Sequence, residues 1–163
     1  MYLTYLVENY EKLPMIIAFV HPHECGYPQA WHTDAESHSN VESLSSLNTS
    51  FVLSNGYANL RYIAIPGCPD EIQPFREEYE EGRSAEHAFI DACRYIFDNN
   101  YVSKVVGTSC CAQFAVSRDQ VHKRPLEYYV GALRWLHDTL LDDATSGRVL
   151  EYLWHIIFRQ GPV

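Results

Sequence analysis

Lysine and arginine are scarce in this sequence. Twelve of them stand against 21 aspartates and glutamates, which gives a formal net charge of −9. Binding along a nucleic-acid backbone needs clustered cations, so this balance argues against such a partner. Long apolar runs are also absent: the longest, residues 15–20, is far shorter than the roughly 20 apolar residues that span a bilayer. Glycine-rich phosphate loops, nucleophile elbows and zinc-protease motifs do not occur.

The five cysteines form no regular framework of pairs. Cys110 and Cys111 are adjacent, and neighbouring residues rarely reach disulfide geometry. The start of the sequence lacks the pattern of a secretory signal peptide. These features predict free, inert thiols in a reducing compartment, and therefore an intracellular, cytoplasmic protein.

Length and composition are typical of one globular domain over residues 1–163, since 47% of the residues are apolar and 20% charged. Strand-like apolar segments alternate with segments of helical periodicity. This alternation favours an α/β fold with a mostly parallel, layered sheet flanked by helices. A doubly wound domain usually opens with a strand, whereas this chain opens with helical spacing, so we expect an N-terminal strand to be missing.

The predicted secondary structure is stated here so that it can be compared with the structure below. Helices are expected at residues 2–10, 41–53, 85–97 and 146–158, with a further helix that begins at Pro125. Strands are expected at residues 15–20, 60–65, 105–106 and 112–116. The first of these strands is apolar throughout, which predicts a central strand buried on both faces.

A cluster of histidines is the strongest candidate for a functional site. His21 follows directly on the predicted strand 15–20, and His23, His32 and Asp34 come soon after. Imidazoles and carboxylates ligate zinc, iron and manganese, and they also serve as general acids and bases. Both roles stay open. So does a third interpretation, in which these histidines cap backbone groups of a polar loop.

Glu151 and His155 form a second candidate pair on the predicted helix 146–158. Together with Arg148 and Arg159 they recur at three- and four-residue steps, so they share one stripe of an otherwise apolar helix. Such a pair could position a substrate or transfer a proton. The same stripe is equally typical of a solvent-facing edge.

Several stretches of the sequence resemble a fungal domain family of unknown function. They are Tyr2-Leu3-Thr4-Tyr5, Phe19-Val20-His21-Pro22-His23, Trp31-His32, Cys110-Cys111-Ala112-Gln113-Phe114-Ala115-Val116 and Leu150-Glu151-Tyr152-Leu153-Trp154-His155. The resemblance spans essentially the whole chain. It implies an upstream segment and a Cys-bearing tail that this sequence does not contain, so we expect a member shortened at both ends.

The layout is also distantly similar to nucleotide-sugar transferases with a Rossmann-like fold, although the Asp-x-Asp metal motif of those enzymes is missing here. This likeness implies a Rossmann-like sheet and a transferase activity. The joining of aminoacyl groups into cyclodipeptides, in fungal specialised metabolism, is an alternative by analogy with the family.

The sequence thus predicts a group-transfer enzyme of fungal metabolism that acts on a small organic acceptor, in a pocket shaped in part by aromatic rings. Its predicted catalytic residues are His21, His32, Asp34, Glu151 and His155. The predicted ligands of a divalent metal are His21, His23, His32 and Asp34. The alternatives are the cyclodipeptide-forming enzyme and a non-catalytic binding domain that remains of an enzyme. No other cofactor is identified, and the number of subunits stays open.

Overall fold

The computed structural model describes residues 1–28, 30–78 and 80–163. These ranges contain three short strands: β1 (Ile16–Phe19), β2 (Tyr57–Asn59) and β3 (Phe114–Ser117). They also contain the helices α1 (Tyr2–Asn9), α2 (Asn40–Ser45), α3 (Thr49–Asn55), α4 (Ser84–Phe97), α5 (Arg118–Val121), α6 (Leu126–Asp138), α7 (Asp143–Glu151) and α8 (Trp154–Ile157). Single 3-10 turns cover Tyr10–Lys12 and Glu36–His38.

The strands form one antiparallel sheet in the order β1–β3–β2. Phe19 at the end of β1 and Asn59 at the end of β2 both lie opposite Phe114, the first residue of β3. The predicted mostly parallel, Rossmann-like sheet is therefore wrong. Alternating strand-like and helical segments do not fix strand direction, and here both outer strands run antiparallel to the strand between them.

The strand predictions were less accurate than the helix predictions. β3 is the central strand and is buried along its length, whereas β1 is an edge strand in which Ala18 is exposed. The prediction of a central strand at residues 15–20 is wrong, because an apolar run alone does not tell an edge strand from a central one. Residues 60–65, predicted as a strand, follow β2 and contain no strand.

The helices predicted at residues 2–10 and 85–97 are confirmed by α1 and α4, and the helix expected from Pro125 is α6. The predicted helix 41–53 is divided into α2 and α3. Asn48 starts the second of these, because its side-chain oxygen accepts the N–H of Phe51 at 2.9 Å. Gly56 ends it in the left-handed conformation, with φ 84°.

The last predicted helix, 146–158, is also two helices. Asp142 starts α7 by accepting the N–H of Thr145 at 2.7 Å. After the end of α7 the backbone tightens, and the N–H of Leu153 bonds to the Leu150 carbonyl, only three residues back. The next helix, α8, begins after this turn, so Glu151 and His155 do not belong to one continuous helix.

Aromatic rings fill the core between the sheet and the terminal helices. The Phe114 ring lies 5.1 Å from that of Phe19, 5.3 Å from Tyr57 and 5.4 Å from Trp154, measured between ring centroids. Such contacts add to the stabilisation from apolar burial. No helix in the described part of the chain is long and apolar enough to cross a membrane.

Candidate functional site

Polar loops from all three strands meet at one end of the sheet. β1 and β2 end there and β3 begins there, because both pairings place a strand end opposite Phe114. His21 follows β1, Arg61 follows β2, and the segment from Cys110 to Gln113 precedes β3. The antiparallel topology thus brings together side chains that are far apart in the sequence.

Three histidine rings lie side by side at this end. The centroid of the His32 ring is 4.3 Å from that of His21 and 5.9 Å from that of His23. His32 is buried, with 5% of its surface exposed, and its Nε2 has no hydrogen-bond partner among the described residues. A buried ring nitrogen without a partner is unusual and marks a position where a further polar group would be stabilised.

Buried amide side chains hold the backbone of the histidine segment. Gln113 accepts the His21 N–H at 2.9 Å. Asn40 donates to the carbonyl oxygens of His21 and His23 and accepts the hydroxyl of Thr33 at 2.8 Å. These bonds fix the segment after β1 relative to the segment that carries His32. Neither amide was identified from the sequence, since Asn and Gln in polar loops give no distinguishing pattern.

Asp34 lies beside the histidines but is engaged elsewhere. Its Oδ2 accepts the N–H groups of Tyr62 and Ile63 at 2.8 and 3.0 Å. Its Oδ1 is 3.5 Å from Nε of Arg61, in an ion pair whose side chains are only 2% and 4% exposed. Asp34 therefore holds the loop after β2 and neutralises a buried guanidinium.

Arg61 links this ion pair to the two adjacent cysteines. Its Nη1 lies 2.8 Å from Sγ of Cys110 and 3.4 Å from Sγ of Cys111. These cysteines form a disulfide with each other, so the prediction of free thiols is wrong for this pair; Cys25, Cys68 and Cys93 are free. Neighbouring cysteines are not expected to form a disulfide when their backbone has ordinary φ values. Cys111 instead adopts φ 85°, in the left-handed region.

Glu151 reaches the same place from the end of α7. It accepts the backbone N–H of Cys111, and its other oxygen lies 3.3 Å from Nη1 of Arg148. Its negative charge also acts to raise the pKa of the His21 ring. Glu151 therefore lies at the same end of the sheet as the histidine cluster.

His155, the predicted partner of Glu151, faces a different environment. Its Nε2 lies 3.3 Å from the carbonyl oxygen of Pro162, and its Nδ1 is buried without a partner among the described residues. Burial lowers the pKa of His155. The turn between α7 and α8 separates the two side chains, so the structure does not bring His155 into the histidine cluster.

Burial disfavours the charged form of the two innermost imidazoles. It lowers the pKa of His21, and the Glu151 charge and the Cys111 backbone oppose this effect. Burial also lowers the pKa of His32 to about 4, and the neighbouring His21, His23 and Arg61 act in the same direction. Neutral rings at physiological pH can accept protons.

Metal-ligand spacing occurs at a different set of residues from the one predicted. In the described part of the chain, the ligand atoms of Cys110, Cys111 and Glu151 lie within 4.8 Å of one another. Zinc and similar ions bind cysteine as the thiolate. The two sulfurs of this set are bonded to each other in a disulfide and are therefore not thiolates. No three of the predicted ligands His21, His23, His32 and Asp34 reach such spacing in the described part of the chain. Asp34 is turned to Arg61 and to backbone groups.

A cavity of about 450 Å³ lies between the start of α4 and α7, and Glu151 is part of its wall. This size is within the usual range for small-molecule sites. Arg83, Arg148, Glu71 and Glu86 contribute charged groups to the lining. None of the described residues that line this cavity is aromatic, whereas Tyr2, Tyr5 and Phe19 line a second cavity, of about 460 Å³, between α1 and β1.

Comparisons with known proteins add one assignment. No curated protein and no solved structure matches this chain. A family model for a protein family of unknown function, DUF3431, matches residues 1–163, the whole of the sequence. The chain therefore belongs to the DUF3431 family.

Proposed function

We propose that this protein is a group-transfer enzyme that acts on a small organic acceptor, with His21 as its general base. The observation that carries the proposal is the environment of the His21 ring. The ring centroid lies 4.3 Å from that of the buried His32, and Gln113 holds the His21 backbone. Burial lowers the pKa of the ring, and the Glu151 charge opposes this effect.

The neutral form of the His21 ring is the form that can act as a base. A neutral imidazole has one N–H and one lone pair, so one of its nitrogens can accept a proton. Burial favours this neutral form for His21. In transfer, the acceptor's nucleophilic atom attacks the donor group while its proton passes to His21. The same proton then leaves with the departing part of the donor, which returns His21 to the neutral form.

Glu151 completes this arrangement. Its carboxylate accepts the Cys111 N–H, and its charge stabilises the imidazolium that forms when His21 takes a proton. Glu151 also borders the polar cavity of about 450 Å³. A small acceptor with charged or hydroxyl groups suits this lining of guanidinium and carboxylate groups.

The proposal is tested by product formation in cells. We would express the full chain, His21→Asn and His137→Asn, and compare the small molecules in the extracts by mass spectrometry. Asparagine keeps a polar, hydrogen-bonding side chain but cannot act as a base. A product is expected with the wild type and with the exposed control His137→Asn, and about 10²–10⁴-fold less with His21→Asn, the range for loss of a general base.

Two results would contradict the proposal. Equal product from His21→Asn and wild type would remove His21 from the chemistry. No new compound from a folded wild-type protein, checked by circular dichroism, would favour the non-catalytic binding domain instead.

A further inference from the structure

The disulfide between Cys110 and Cys111 has no role in the proton transfer proposed for His21. It also contributes little to stability. A disulfide stabilises a fold mainly by closing a loop of the unfolded chain, and this one joins neighbouring residues and closes almost none. Its position at the meeting point of the three strand-end loops therefore calls for another explanation.

The backbone of the disulfide segment is held in an unfavourable conformation. Cys111 and Ala112 have φ values of 85° and 50°, in the left-handed region that residues with a side chain rarely adopt. Glu151 accepts the Cys111 N–H and fixes this backbone. Conformations of this kind persist where surrounding contacts enforce them, and they concentrate at functional sites.

The two sulfurs differ in access and share one cation. Cys110 is 1% exposed, whereas Cys111 is partly exposed. Arg61 donates to both sulfurs and lies closer to that of Cys110, at 2.8 Å against 3.4 Å. A guanidinium next to sulfur favours the thiolate over the thiol, which makes Cys110 the better leaving group.

We infer that Cys110–Cys111 is a redox site that exchanges with an incoming thiol. A substrate thiolate attacks Sγ of Cys111, the S–S bond breaks, and Cys110 departs as a thiolate that faces Arg61. A second substrate thiolate then attacks the substrate sulfur of the mixed disulfide and releases Cys111. The two substrate thiols leave as a disulfide, and their two electrons stay on the reduced cysteine pair.

The experiment equilibrates the folded full-length chain with mixtures of reduced and oxidised glutathione, blocks free thiols and digests the protein with trypsin. Cleavage after Lys104 and Arg118 releases residues 105–118, which contain these two cysteines and no other. This peptide is expected to change reversibly between disulfide and dithiol as the glutathione ratio changes. A disulfide that survives excess reduced glutathione, or a dithiol that survives excess oxidised glutathione, would overturn the inference.

Single serine variants test the order of the steps. Cys110→Ser lacks the resolving thiol, so oxidised glutathione should accumulate on Cys111 as a stable mixed disulfide. Cys111→Ser leaves the buried Cys110. This thiol should react with oxidised glutathione at least about 10-fold more slowly than Cys111 does in Cys110→Ser, because exchange depends on access. Equal rates at the two cysteines would contradict attack at Cys111.

The role of Arg61 is tested by a matched pair of variants. Arg61→Lys keeps the charge, and Arg61→Gln removes it. With folding verified by circular dichroism, reduction by glutathione is expected to be about 10-fold slower in Arg61→Gln than in Arg61→Lys, because the departing thiolate loses its cation. Equal rates would exclude Arg61 from the exchange. The serine variants test the site independently if Arg61→Gln does not fold.

Discussion

Replacing Asp34 by Ala is expected to lower the free energy of unfolding by about 3–5 kcal/mol, the usual cost of leaving a buried charge without its partner. Arg61 is the charge in question. It is buried beside Asp34, and without the carboxylate the described contacts of its guanidinium would be the two cysteine sulfurs and the ring of Trp31, 4.8 Å away. The N–H groups of Tyr62 and Ile63 would lose their acceptor as well.

Urea denaturation of three variants measures this effect. Asp34→Ala should be the least stable, and the double variant Asp34→Ala/Arg61→Met should recover part of the loss, because it removes the unpaired charge. Glu36→Ala, an exposed acidic residue nearby, is the control and should stay within about 0.5 kcal/mol of the wild type. If Asp34→Ala is as stable as this control, the ion pair does not organise the loop after β2.

Replacing Glu151 by Ala is expected to reduce product formation by about 10²–10⁴-fold, the contribution of a partner in acid–base catalysis. Two effects combine. The Cys111 N–H loses its acceptor, which loosens the backbone before β3, and the developing imidazolium loses the neighbouring charge.

Glu151→Gln separates these two effects, since the amide oxygen still accepts the Cys111 N–H but carries no charge. If the charge matters, Glu151→Gln should resemble Glu151→Ala in the product assay while keeping wild-type stability. Glu127→Gln is the matched control, because Glu127 is an exposed carboxylate on α6 that does not line the cavity. Wild-type product from both Glu151 variants would show that Glu151 has no part in the reaction.

The helical half of the fold could be predicted from the sequence better than the sheet. α1, α4 and α6 follow from apolar residues at helical spacing, a signal contained within each segment. The direction of the strands depends on contacts between distant segments, and no local pattern in strands of three or four residues encodes it. The likeness to Rossmann-like transferases failed for this reason.

The candidate site was predictable only where one segment carried the signal. His21, directly after an apolar strand, could be found in this way. Arg61 could not, since residues 60–65 were predicted as a strand and its partners lie 27 positions before it and about 50 after it. The Cys110–Cys111 pair was dismissed because its left-handed backbone is not visible in a sequence. Glu151 could be found as a polar residue on a segment predicted as an apolar helix. Its expected partner His155 could not, because the turn after α7 places His155 on a separate helix.

The central claim is that the His21 ring is a neutral base that is buried beside the charge of Glu151. Nitrogen NMR of the histidine rings tests this without a substrate, because the ring shifts distinguish the neutral from the charged imidazole. His21→Asn identifies the His21 signals. The account predicts a His21 pKa below the ordinary histidine value in the wild type, and a still lower pKa in Glu151→Gln, where the charge that raises it is gone. An ordinary histidine pKa that Glu151→Gln leaves unchanged would contradict it.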